Sequence, residues 1–118
     1  MDKDLFLQAV SDNEVDFDKV SKIQEIYGFT LTEEIEKLVS KCGESVFISE
    51  ECRLLALSEI LNANEELHVN FVLQKILPLF DCFDNDFIVW HYDIQKWSLY
   101  NIIDQISFNY KTELTELL

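Results

Sequence analysis

Glycine and proline are nearly absent: Gly28, Gly43 and Pro78 are all that 118 residues contain. Two isolated glycines cannot build the Gly-rich turn of a dinucleotide fold or a phosphate-cradling P-loop. Positive charge is scarce as well. Arg53 is the single arginine, eight lysines are scattered, and 23 Asp and Glu against 9 Lys and Arg give a formal net charge of -14. Nucleic-acid binding depends on Lys and Arg displacing phosphate counterions, so direct binding to nucleic acid is excluded, and an anionic membrane would repel the chain. The cysteines, Cys42, Cys52 and Cys82, are odd in number and without CxxC spacing, which suggests neither a disulfide framework nor a thiolate zinc site and fits a reduced compartment. The start, Met1-Asp2-Lys3-Asp4 and an apolar patch ending at Val10, lacks the basic lead of a secretory signal, and no apolar run approaches membrane-spanning length. A cytoplasmic location is the expectation.

Apolar residues are plentiful. At 48% hydrophobic and 13% aromatic, the chain has enough surface to remove from water to oppose chain entropy, and residues 1–118 are expected to form one domain around one core. The first half reads helical. Phe17, Val20, Ile23, Ile26 and Tyr27 recur at three- and four-residue steps behind a cap at Asp16, and Gly28 ends the segment. Thr30 and Glu33 have capping-box spacing ahead of a stripe of Leu31, Ile35, Leu38, Val39 and Cys42, which Gly43 stops. Then the period shortens. Val46 to Ile48 and Arg53 to Leu57 read as strands around an acidic turn at Glu50 and Glu51, and Ser58 as the cap of a helix to about Glu66. Pro78 places the strand of Ile76 to Phe80 at an edge, or starts it near the proline. Asp84 and Asn85 turn the chain into a strand from Phe87 to Tyr92, Asp93 to Lys96 turn it again, and Trp97 to Tyr100 completes a meander. A last helical turn, Thr112 to Leu118, lays Leu114, Leu117 and Leu118 on the sheet. Helices first, an antiparallel meander next and a short helix last define an α+β domain.

Catalytic chemistry is poorly represented. Asp81, Asp84 and Asp86 could bind a hard cation or supply a general base, but a calcium loop fails for want of the sharp-turn glycine and the twelfth-position glutamate, and a turn explains them through side-chain bonds to their own backbone. His68 and His91 have no second ligand at metal spacing, and no Ser or Cys lies in a nucleophile signature. A non-enzymatic protein without metal or cofactor is expected; a hydrolase built on the three aspartates is the weaker class. Trp90, Tyr92, Trp97 and Tyr100 crowd the meander. If helices cover both sheet faces these rings are core; if one face is open they are anchors for a partner.

Several short segments, taken in order, carry a resemblance. Tyr27-Gly28 closing a helix, Leu31 to Cys42 followed by Gly43, Leu57-Ser58-Glu59-Ile60, Ile76-Leu77-Pro78-Leu79-Phe80-Asp81 and Asn85-Asp86-Phe87-Ile88 together resemble the SUKH superfamily over most of the chain. Thr32 stands where that family commonly has proline, Cys42-Gly43 where it has Asn-Gly, and Asn85-Asp86 where it has Gly-Asp; each keeps a helix entry, a helix stop or a turn. The resemblance implies a strongly bent sheet flanked by helices. Many bacterial members are immunity proteins that neutralise toxins, often nucleases, delivered by neighbouring cells; others, including fungal regulators of cell-wall assembly, are scaffolds. It implies partner contacts at Asp81 and Asp86, the family's acidic turn positions. The expected function is therefore neutralisation of a toxin, a basic nuclease-type domain, with binding to an endogenous partner as the alternative. The acidic surface would steer a basic partner inward, and the candidate contacts are Asp81, Asp84, Asp86, Trp90, Tyr92, Glu50 and Glu51.

Overall fold

The computed structural model describes residues 2–43 and 46–118. Three helices come first: α1 (Lys3–Ser11), α2 (Phe17–Tyr27) and α3 (Glu33–Val39). Strands β1 (Val46–Ser49) and β2 (Cys52–Leu54) precede the short helices α4 (Leu57–Leu61), α5 (Ala63–Leu67) and α6 (Phe71–Gln74). Strands β3 (Ile76–Asp81), β4 (Asp86–His91), β5 (Lys96–Asn101) and β6 (Ile106–Lys111) follow, and a 3-10 turn, Leu114–Glu116, ends the order. All six strands form one antiparallel sheet in sequence order. The fold is α+β, as the periodicity indicates.

Local chemistry explains the helix ends. Asp16 caps α2 by accepting from the Asp18 and Lys19 amides, and Gly28 closes it at φ 78°, where a side chain would be strained. For α3 the cap is Thr32, which accepts from Ile35 N, and not Thr30; the helix starts two residues later than the capping-box spacing indicates. Similarly, β2 stops at Leu54 and α4 begins at Leu57, so Ser58 is inside the helix. There the Glu59 carboxylate accepts from Ala56 N and takes over the capping work. The single helix read over Ser58 to Glu66 is two, divided at Asn62, which closes α4 and opens α5.

Pro78 sits inside β3. Tyr92 N donates to Lys75 O, and alternation from that bond turns the Pro78 nitrogen away from β4 toward β2. The last β2–β3 pair is Leu54 with Phe80, so that side is locally an edge and the missing N–H leaves no ladder bond unmade.

The core lies on both faces of the sheet. Phe80, Ile88 and Leu99 share one face by register, and Phe6 of α1 packs its ring edge-on against Phe80. Phe87 and Tyr100 share the other, where Phe71 of α6 tilts onto Tyr100 and Gln74 accepts from the Tyr100 hydroxyl. Among the described residues the buried apolar side chains form one cluster, and the radius of gyration of 12.9 Å matches the ~13 Å of one compact domain.

Scarcity of glycine shows in the turns. Among the described residues eight non-glycine residues take positive φ, including Phe83, Asp84 and Asn85 in succession, Gln95 and Gln105. Each such residue costs on the order of 1 kcal/mol, so the sheet holds its hairpins against local strain.

Candidate partner-binding surface

In a meander every second hairpin turn falls at the same end of the sheet. The β1–β2 turn, the β3–β4 turn and the β5–β6 turn therefore come together. Two observations fix this. Arg53 of β2 is paired with Asp81 of β3, and Ile102 N donates to Asn85 O across the second and third turns. Glu50 and Glu51, Asp81, Asp84 and Asp86, and also Asp104, thus share one end. The three turns carry no lysine or arginine of their own.

These carboxylates differ in what they do. Arg53 Nη1 and Nη2 donate to the two Glu59 oxygens at 2.7 and 2.8 Å, and Nη2 also reaches Asp81 at 3.2 Å. The guanidinium lies mostly out of solvent between them, which holds the Glu59 carboxyl below its usual range and raises the Arg53 value. Asp81 in addition accepts from Phe83 N at 2.8 Å, and Asp86 accepts from Asn101 Nδ2 at 2.9 Å. Those two shape the turn. Glu50, Glu51, Asp84 and Asp104 are exposed at its surface. Among the described residues no group of three His, Cys, Asp or Glu is placed to hold a metal ion.

Between the acids stands an apolar pair that no motif in the sequence announces. Phe47 of β1 and Phe83 of the β3–β4 turn stack with centroids 6.3 Å apart and planes 13° from parallel, 54% and 36% exposed. Ile103, 70% exposed, lies in the neighbouring β5–β6 turn. Neither Phe47 nor Phe83 stands out in sequence, because each is a lone aromatic; only strand order brings them together.

Trp90 and Tyr92 belong elsewhere. Trp90 is buried and tilts against the fully buried Trp97, so the choice between core and anchor falls to core for both, as it does for Tyr100. Tyr92, half-buried, stacks on Phe29 at 3.6 Å and donates to Val72 O. It lies six residues along from Asp86, about 20 Å at ~3.3 Å per residue, and is no neighbour of the acidic turns.

Other chemical groups lie away from the acidic turns. A cleft of about 440 Å³ between α1, α3 and the C-terminal turn is lined by Leu7, Val10, Leu38 and Leu114, with Ser11, Glu33, Glu34 and Lys37 at its polar margin, where Lys37 pairs with Glu33 at 3.6 Å. Burial pushes the Cys42 thiol up to about 12, which silences it as a nucleophile. His91 is buried against the Tyr110 ring with Nε2 2.7 Å from Ser98 Oγ. Burial lowers its pKa, opposed by Asp93, so the unfolded chain takes up the proton at higher pH than the folded one. Its contribution to stability is complete above the ordinary value of about 6.5 and is lost as pH falls through the lowered one. Urea unfolding at pH 7 and 5 should show this loss in the wild type and a smaller one in His91→Gln. Equal losses would remove the assignment.

No helix of the described residues is long and apolar enough to cross a membrane. Comparison with protein-family models, curated proteins and solved structures gives no match to the chain.

Proposed function

We propose that this chain is a non-enzymatic binding protein of the SUKH type, an immunity protein that occupies the cationic surface of a toxin, a basic nuclease-type domain. The observation that carries the reading is the gathering of exposed Glu50, Glu51, Asp84 and Asp104 around the stacked Phe47 and Phe83 at one end of the sheet. Lysines and arginines that such a toxin uses against phosphate would be drawn to these carboxylates, and the two rings offer an apolar centre that a partner can desolvate. Steering of this kind acts over roughly 8 Å at physiological salt, so the lack of any cation within the three turns matters.

Protection is the test. Cells expressing a basic toxin whose gene neighbours this one should grow when the chain is co-expressed. With the purified pair, Glu51→Lys combined with Asp84→Lys should slow association about tenfold at low salt and converge on the wild type at high salt. Both side chains are exposed, so folding should be intact. Phe83→Ala should act on dissociation instead, raising its rate by about tenfold or more. Absence of protection, or association rates indifferent to salt and to both reversals, would remove the proposal.

A further inference from the structure

Residues 52 and 82 are thirty positions apart in the chain and meet across the β2–β3 ladder. The pairs Arg53 with Asp81 and Leu54 with Phe80, continued by one residue, set Cys52 opposite Cys82. Leu55 N donates to Leu79 O, which makes 55/79 and 53/81 the hydrogen-bonded pairs and 52/82 a non-hydrogen-bonded one. In that class the two Cα atoms approach most closely, about 4.5 Å, at the short end of the span a disulfide accepts. Directly opposed residues point to the same face, so the two thiols face each other across the ladder. Cys82 is half-buried at the start of the β3–β4 turn and so is open to a small reagent from one side.

We propose that Cys52 and Cys82 form a redox-active dithiol that closes to an intramolecular disulfide on encounter with a low-molecular-weight disulfide such as oxidised glutathione. Cys82 is the attacking sulfur: it is half-buried where Cys52 is buried, so it is the one a glutathione disulfide reaches. Its thiolate attacks one glutathione sulfur, breaking that S–S bond and releasing a first glutathione thiol after protonation. Cys52 then gives up its proton and attacks the Cys82 sulfur of the mixed disulfide, releasing a second glutathione. Two electrons pass from the protein dithiol to the glutathione disulfide, and β2 becomes stapled to β3. Cys42, buried and bonded to Leu38 O, takes no part.

The purified full chain, reduced and then exposed to oxidised glutathione near pH 8, should lose the mass of two hydrogens. Its thiol count in denaturant should fall from three to one. Peptide sequencing should find Cys52 joined to Cys82 with Cys42 reduced, and the thermal midpoint should rise by roughly 10 °C through restriction of the unfolded chain. Cys52→Ser should halt at a single glutathione adduct on Cys82. Persistent glutathione adducts on the wild type, disulfide-linked dimers, a Cys42 bridge, three surviving thiols, or a bridged product melting below the reduced chain would each overturn the proposal.

Discussion

Replacing Trp97 by alanine is expected to remove about 3–5 kcal/mol of unfolding free energy, read as a lowered midpoint in urea at unchanged slope. Trp97 is 0% exposed in β5, with β4 and β6 on either side, and its ring tilts against Trp90 at 5.1 Å. Deletion of the indole opens a cavity that two fixed strands cannot collapse to fill. A domain of this size holds about 5–15 kcal/mol in total, so the loss is a large fraction of it. Ile106→Ala, at an exposed position of β6, supplies the control and should cost about 0.5 kcal/mol or less. A Trp97→Ala cost below about 1 kcal/mol would mean that the sheet does not pack on this ring.

Arg53→Ala is the second large effect, with an expected cost of about 1–3 kcal/mol at pH 7. The lower bound reflects the partial exposure of Arg53, Glu59 and Asp81, with side chains 18%, 31% and 17% accessible, which lets solvent screen the charges. The upper bound reflects what remains: two carboxylates facing each other without the guanidinium that satisfied both. The pH dependence has a definite sign. Glu59 has a lowered folded pKa, so its pairing stabilises the protein above the unfolded value near 4.3 and is lost as pH falls through the folded one. The gap between wild type and Arg53→Ala should therefore narrow below about pH 4. In a double-mutant cycle with Glu59→Ala, a coupling near zero would show that the bidentate bond carries no stability.

Legibility in the sequence followed the locality of the cause. Helix α2 is read correctly because its determinants, Asp16 and Gly28, act within one turn of it. Helix α1 has a cap in Asp2, which accepts from Asp4 N, but no stop glycine and no clear stripe: Leu5, Phe6, Leu7 and Val10 are nearly contiguous, and only Phe6 and Val10, four residues apart, are buried. Strand β6 escapes for the opposite reason. Apart from half-buried Ser107 its residues are exposed, so hydrophobic alternation has nothing to report; it is defined by pairing with β5 and by the Ile102 to Gln105 turn. Asp81, Asp84, Asp86, Glu50 and Glu51 are visible as acidic turns, but that they share one end depends on strand order. Their apolar centre, Phe47 and Phe83, depends on it entirely. Trp90 and Tyr92 look equivalent by alternation, yet Trp90 lies within β4 against Trp97 of the neighbouring strand, whereas Tyr92 lies just past the strand end against Phe29 of the α2–α3 loop.

Arg53 also makes the molecule easy to instrument. A dicarbonyl reagent selective for guanidinium groups has one target in the whole chain, and that target is clasped by carboxylates from α4 and β3. Its rate of labelling is consequently a single-site clock for the parting of those two elements, readable without any engineered probe.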